Sequence, residues 1–190
     1  MNKILCLFIL FTLIGSASLS QIPDFYREDL FFTLDDSTLN VSGDYYFYNP
    51  HERPLRMSMH YPFPQDKALG KVSGVFAFNR YIPFRDHLIR YNQKAGIISL
   101  DILPKQSKVL RIGYSHELKA DQATYILSTT SEWGKPFQQA YYELHVPFDI
   151  QVDSLSYEPD EIQQVGGLYI YIFKRRNFMP EKDFEIYFSN

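Results

Sequence analysis

The chain has 190 residues, a net charge of −3 and a single cysteine, Cys6. A mildly acidic balance argues against a nucleic-acid binder, whose footprint is clustered positive charge. One cysteine supplies no thiolate zinc site, iron–sulfur cluster or disulfide framework, so the fold must stand on its core alone.

The first twenty residues read as a leader rather than as part of the fold. Lys3 gives a positive start, Ile4 to Ile14 is almost unbroken apolar sequence, and Gly15 with Ser16 to Ser20 forms a small-residue exit. That is the layout of a secretory signal peptide, and the apolar run is shorter than the roughly 20 residues needed to cross a bilayer. Cleavage after Ser20 leaves Gln21 as the first mature residue; cleavage after Ala17 is the alternative. Cys6 lies near the start of the apolar run, whereas a lipid-modified cysteine stands just past its end. The reading is therefore an exported protein, in the periplasm, at the cell surface or outside the cell, with no transmembrane span after signal cleavage. Export without disulfides points to a bacterial envelope.

From residue 21 onward the periodicity is two rather than 3.6. Val41, Gly43, Tyr45 and Phe47 share one face, as do Leu55, Met57, Met59 and Tyr61. Ile98, Leu100 and Ile102 alternate with Ser99 and Asp101, and Leu110, Ile112 and Tyr114 alternate with Arg111 and Ser115. Ala140, Tyr142, Leu144 and Val146 repeat the pattern, then Phe184, Ile186 and Phe188. Such alternation is what half-buried antiparallel strands require. Val75 to Phe78 and Gly167 to Phe173 are apolar on both faces, and read as central strands or, alternatively, as a strand with a tyrosine-lined outer surface. Pro159 to Gln164, stopped by Gly166 and Gly167, is the one predicted helical turn. Lys174, Arg175 and Arg176 read as the end of a strand in water. The prediction is one all-β domain over residues 21–190, an antiparallel β-sandwich of about ten strands, immunoglobulin-like or jelly-roll-like, with little helix.

Chemistry is sparse. His51, His60, His87, His116 and His145 form no His-x-His or His-Glu-x-x-His spacing, so no metal site is predicted. Gly113 to Glu117 (GYSHE) superficially matches a serine nucleophile elbow. Its last glycine is replaced by Glu117, and adjacent strand residues Ser115 and His116 must point to opposite faces. Asp35 and Asp36 read as turn residues bonding nearby amides. Asp153, Glu158, Asp160 and Glu161 read as a solvated acidic stretch without a calcium-loop pattern. No carboxyl is marked for the raised pKa that a general acid needs, and no glycine-rich nucleotide loop occurs, so no cofactor is expected.

The one tryptophan lies in Thr129 to Phe137 (TTSEWGKPF). Residues Ala123–Thr129 and Gln139–Val146 read as two strands of a hairpin around Gly134 and Pro136, with Trp133 either folded over its apolar face or exposed as a binding lip beside Glu132. The pattern from Tyr125 to Ala140, with Val41 to Pro54 and Tyr61 to Pro64, resembles segments of uncharacterised β-rich domains of exported bacterial envelope proteins. That resemblance implies a sandwich-like fold and an envelope address, and carries no activity. The leading reading is a non-catalytic binding or structural module whose partner is an envelope protein or a glycan. Its candidate ligand-binding residues are Glu132, Trp133, Tyr46, Tyr48, Tyr169 and Tyr171. The alternatives are a glycan hydrolase using carboxylates, or a carrier of an apolar ligand.

Overall fold

The computed structural model describes residues 22–82 and 89–189. The predicted leader with Cys6, and also His87, lie outside the described residues. Among these there are thirteen strands and one 3-10 helix. The strands are β1 (Asp24–Leu34), β2 (Thr38–Tyr48), β3 (Leu55–Pro62), β4 (Leu69–Asn79), β5 (Ile89–Tyr91), β6 (Ala95–Ile102) and β7 (Ser107–Leu118). They continue with β8 (Gln122–Tyr125), the 3-10 helix (Ser128–Trp133), β9 (Phe137–Pro147), β10 (Gln151–Leu155), β11 (Glu161–Val165), β12 (Leu168–Phe178) and β13 (Phe184–Ser189).

One layer is a seven-stranded sheet in the order β11-β12-β9-β1-β2-β7-β4. The facing layer is divided into two three-stranded sheets, β10-β13-β8 and β3-β6-β5. The fold is all-β and sandwich-like, as the alternation predicts, with four corrections. The large sheet is mixed, because β1 runs parallel to β9 while pairing antiparallel with β2. The predicted helical turn at Pro159–Gln164 is instead the start of strand β11, paired with β12 from Glu161 onward. Val75–Phe78 lies in β4, which forms a sheet edge rather than its centre. Finally, Ala123–Thr129 and Gln139–Val146 do not form a hairpin: β8 pairs with β13 in the divided layer, and β9 pairs with β1 and β12 in the large sheet.

The side-chain period of two assigns the faces. Leu30, Phe32 and Leu34 of β1, Leu39, Val41, Tyr45 and Phe47 of β2, and Tyr142, Leu144 and Val146 of β9 are all buried on the inner face. Their neighbours Asp29, Phe31, Ser42, Asp44, Tyr46, Tyr141 and Glu143 project outward. On that outer face Asp29 and Asp44 stand directly opposite one another, an arrangement that like charges disfavour. Arg27 donates to Asp29 at 2.7 and 2.9 Å, and Arg111 makes a two-nitrogen contact with Asp44, with Arg80 3.4 Å from it. The opposed carboxylates thereby become a ladder of bidentate pairs.

Aromatic rings dominate the interlayer contact under β13. Phe184 stacks on Phe32 at 4.9 Å, meets Phe173 edge-on at 5.1 Å, and lies 6.3 Å from Tyr142. Since it is completely buried, Phe184→Ala removes that contact and leaves a cavity its neighbours cannot fill. We expect a loss of about 3–5 kcal/mol, measured as a lower urea midpoint with an unchanged slope; a loss under about 1 kcal/mol would show that the ring is not central to the core.

Candidate functional site

The division of the second layer leaves a seam between the edge strands β3 and β8, and the seam opens as a cleft at the end of the sandwich. Its outer part, with a volume of about 230 Å³, is lined by Ile22, Met57, Ser58, His60, Glu132 and Trp133, among others. A narrower recess of about 50 Å³ leads inward past Met59 and Thr129, which border both parts. Phe25, Glu28, Tyr45, Tyr61 and Tyr125 wall the recess.

The lip is built by the 3-10 helix. Asp183 accepts hydrogen bonds from the backbone amides of Leu127 and Ser128, each at 3.0 Å, which fixes the entry of that helix. Leu127 and Thr130 are buried beneath it. Trp133 is half-buried, its ring 5.4 Å from Phe25 and 5.5 Å from Phe47, while Glu132 beside it is exposed. The tryptophan therefore closes the end of the core with one face and borders the cleft. The hairpin that it was expected to cover does not form, and the ring packs instead on Phe25 and Phe47 while bordering the cleft.

At the recess three hydroxyls meet, one from each sheet. Tyr45 Oη of β2 lies 2.7 Å from both Tyr61 Oη of β3 and Tyr125 Oη of β8, and the latter two are 3.3 Å apart. Gly43 makes this possible: a β-carbon there would stand 2.6 Å from the Tyr45 ring and 2.7 Å from its hydroxyl. Burial raises all three phenols well above the ordinary tyrosine range. Next to them is Glu28 of β1, only 3% exposed. Its register partner in β2 is Tyr45. Burial pushes the Glu28 carboxyl up to about 8; the Tyr142 hydroxyl works in the opposite direction, and the charge on Asp29 adds to the rise. Neither Glu28 Oε1 nor the Tyr142 hydroxyl completes a hydrogen bond.

Glu132 and Trp133 border the cleft. The four predicted tyrosines do not join them. Tyr46 lies on the outer face, donating to Asp29 at 2.9 Å with Arg27 stacked 4.7 Å over its ring. Tyr48 is on that same face of β2. Tyr169 and Tyr171 sit on the opposite face of the sheet, in line with Val146 and Leu144, where Tyr169 packs on Phe148 at 4.7 Å. A signal for Glu28 was present, since it falls in phase with Leu30, Phe32 and Leu34. It is also the raised carboxyl that the sequence did not mark.

The other sequence candidates resolve into structure. Ser115 and His116 point to opposite faces, Ser115 donating to Asn40 at 2.6 Å and His116 buried inside. Gly113 is a glycine because the Phe76 ring rests on it, 2.4 Å from where a β-carbon would lie. Asp35 accepts from the amides of Ser37 and Thr38, as a turn residue does. The acidic stretch and the basic run meet across β11 and β12, with Asp160 bound by Arg175 and Glu161 by Lys174. An open depression of about 490 Å³, lined by Arg27, Asp29, Tyr141, Lys174, Arg175 and Arg176 among others, holds mostly charges that are already paired: Arg27 with Asp29, Lys174 with Glu161 and Arg175 with Asp160.

No protein-family model matches the chain, and no curated protein matches it in sequence. Solved structures do match in shape. A protein of Legionella pneumophila, provisionally named a nutrient binding protein, superposes with a TM-score of 0.74 over 90% of this chain and 68% of its own, at 14% identity. An M1 zinc metallopeptidase of Deinococcus radiodurans superposes with a TM-score of 0.52 over 87% of this chain, at 13% identity. This chain spans only 42% of that enzyme's length. At such identities the likeness is one of fold: the same sandwich occurs in a protein named for binding and in part of a peptidase.

Proposed function

We propose that the protein is an exported binding module of the bacterial envelope that seats a ligand, free or carried on an envelope protein or glycan, in the cleft between β3 and the 3-10 helix. The observation that carries this reading is Glu28. Buried carboxyls are ordinarily paired or hydrogen-bonded; Glu28 has the Tyr142 hydroxyl as its polar neighbour, leaves Oε1 without a partner and walls a recess that leads to the wider mouth. A stability cost retained at a concave, aromatic-walled site is the pattern of a site held ready for a ligand. The name of the Legionella relative accords with it, and the leader-like Lys3 to Ser20 and the envelope resemblance supply the address.

The alternative of a glycan hydrolase gains one observation, because a carboxyl held protonated near neutral pH is what its general acid requires. The recess volume of about 50 Å³ suits a small head group rather than a sugar ring, so binding remains the better reading.

The cost has a definite pH signature. The Glu28 value of about 8 in the folded protein lies above the ordinary 4.5. Between these the unfolded chain has released the proton and the folded chain still holds it, so stability falls as pH rises across that window and levels off above it. At about 1.4 kcal/mol per pH unit the total is on the order of 5 kcal/mol. Glu28→Gln should flatten this slope and raise stability at pH 8 by about 4 kcal/mol in urea unfolding. An identical slope in both proteins would remove Glu28 from the argument.

Two further measurements test the reading itself. Expression of the full chain in a bacterium should give a periplasmic product whose mass begins at Gln21, or at Ser18 on the alternative cleavage. An uncleaved cytoplasmic chain would overturn the address. Because Trp133 is the one tryptophan of the chain, its emission reports on the lip directly. A panel of sugars, short peptides, amino acids and amines should contain members that shift it saturably, and Thr129→Phe, which narrows the entrance, should abolish the shift. No shift across the panel, or shifts indifferent to Thr129→Phe, would refute binding in the cleft.

A further inference from the structure

The walls of the recess specify a chemistry for its occupant. Tyr45, Tyr61 and Tyr125 have three hydroxyl protons and three mutual contacts; with each proton placed in one contact, the triad turns lone pairs toward the recess. Glu28 Oε1 has no partner, and the carboxyl becomes a purely accepting, negatively charged group once it gives up its proton. Phe25, Tyr45 and Trp133 contribute aromatic rings, whose faces attract positive charge. The residues lining recess and mouth include Glu28, Glu132, His60 and tyrosines, and no lysine or arginine. The cleft therefore offers acceptors and aromatic faces without a lysine or arginine to compete for them, and has an acidic residue at its entrance.

Resting on the binding reading above, we propose that the cleft takes a primary organic ammonium group on an aliphatic stem. The head lies against Glu28 and the tyrosine hydroxyls, and the stem passes between Met59 and Trp133 into the wider mouth. An ammonium offers three N–H donors, matching one carboxylate and two of the triad oxygens. The recess volume of about 50 Å³ has room for a few water-sized groups, the scale of a –CH2–NH3+ head. A hard metal ion is a poorer match, since it seeks about six or more oxygens, and no group of three histidine, cysteine or acidic residues converges among the described residues.

Seating an ammonium has a stoichiometric consequence. In the empty protein the Glu28 carboxyl holds its proton near neutral pH. The groups facing it are Tyr45 of β2, Tyr61 of β3, Tyr125 of β8 and Tyr142 of β9, with Asp29 adjacent on its own strand. The four phenols stay neutral, so Glu28 is the group that ionises as the cation enters. The ammonium and the carboxylic acid become an ammonium–carboxylate pair, and one proton leaves to solvent.

Calorimetric titration with n-pentylammonium, 1-pentanol and pentanoate tests this directly. Only the ammonium should bind saturably, and at pH 7 its heat should vary with buffer ionisation enthalpy by about one released proton per site. Glu28→Gln should weaken binding by more than about tenfold and abolish the release. Tyr61→Phe, which keeps the carboxyl, should weaken binding several-fold with the release intact. Equal binding of 1-pentanol, preference for pentanoate, or an unaltered titration of Glu28→Gln would overturn the ammonium assignment. If n-pentylammonium fails while other compounds shift Trp133 in a Thr129-dependent way, the ligand class is wrong and the binding reading stands. If nothing shifts Trp133, both fall.

Discussion

Tyr45 is the point on which three sheets depend. Its strand belongs to the seven-stranded layer, and its hydroxyl bonds Tyr61 from one half of the facing layer and Tyr125 from the other. Buried phenols usually satisfy their hydroxyls, and Tyr45, Tyr61 and Tyr125 do so with partners from other sheets. The two half-sheets are thus registered against the large sheet, and against each other, by hydrogen bonds that have direction, whereas the surrounding aromatic packing has little. Gly43 is the residue that gives the Tyr45 ring its place. The seam between β3 and β8, the recess inside it and the position of Glu28 all follow from where those three oxygens meet.

The same geometry explains why the cleft is narrow within and wide without. Inward, the triad draws β3 and β8 together over β1 and β2. Outward, the chain leaves β8, turns through the 3-10 helix and crosses to β9 in the opposite layer, which holds Trp133 over the end of the core. The sandwich is closed at this end by one indole instead of by a strand pair, and the opening beside that indole is the entrance.

Much of this architecture was legible. Alternation in β2, β3, β6, β7, β9 and β13 identified strands and their inner faces, because a period of two leaves little freedom once one face must be buried. The failures have physical causes. Pro159–Gln164 carries the composition of a helical turn, but its backbone partners lie in β12, and no local pattern reveals a pairing across a turn. Val75–Phe78 is apolar on both faces, a pattern shared by a central strand and by one with an aromatic outer surface; in β4, a sheet edge, Phe76 and Phe78 stack on each other at 5.6 Å over the outer surface, with Phe76 covering Gly113. In β1, Arg27, Glu28 and Asp29 hide the strand signal, and a register irregularity between Phe25 and Arg27 interrupts it. The most consequential polar residue of the candidate site was concealed by the strand in which it is embedded. Trp133 and Glu132 were visible because they sit in a loop-like stretch, where unusual composition stands out. Their connection to Tyr61 and Tyr125 depends on sheet packing that the local sequence pattern does not expose.

The parallel pairing of β1 with β9 has a consequence for how the chain acquires its shape. Thr33 is matched with His145, and Arg27 with Gln139, so the central strand of the large sheet has one neighbour close in sequence and the other far along the chain. Contacts of such separation are slow to form. During synthesis β1 can pair only with β2, and its other edge stays open until β9 has left the ribosome. A chain that cannot complete its main sheet early leaves the long edge of β1 without its partner until residues 137–147 have been made, and an unpaired strand edge is the feature most open to mispairing.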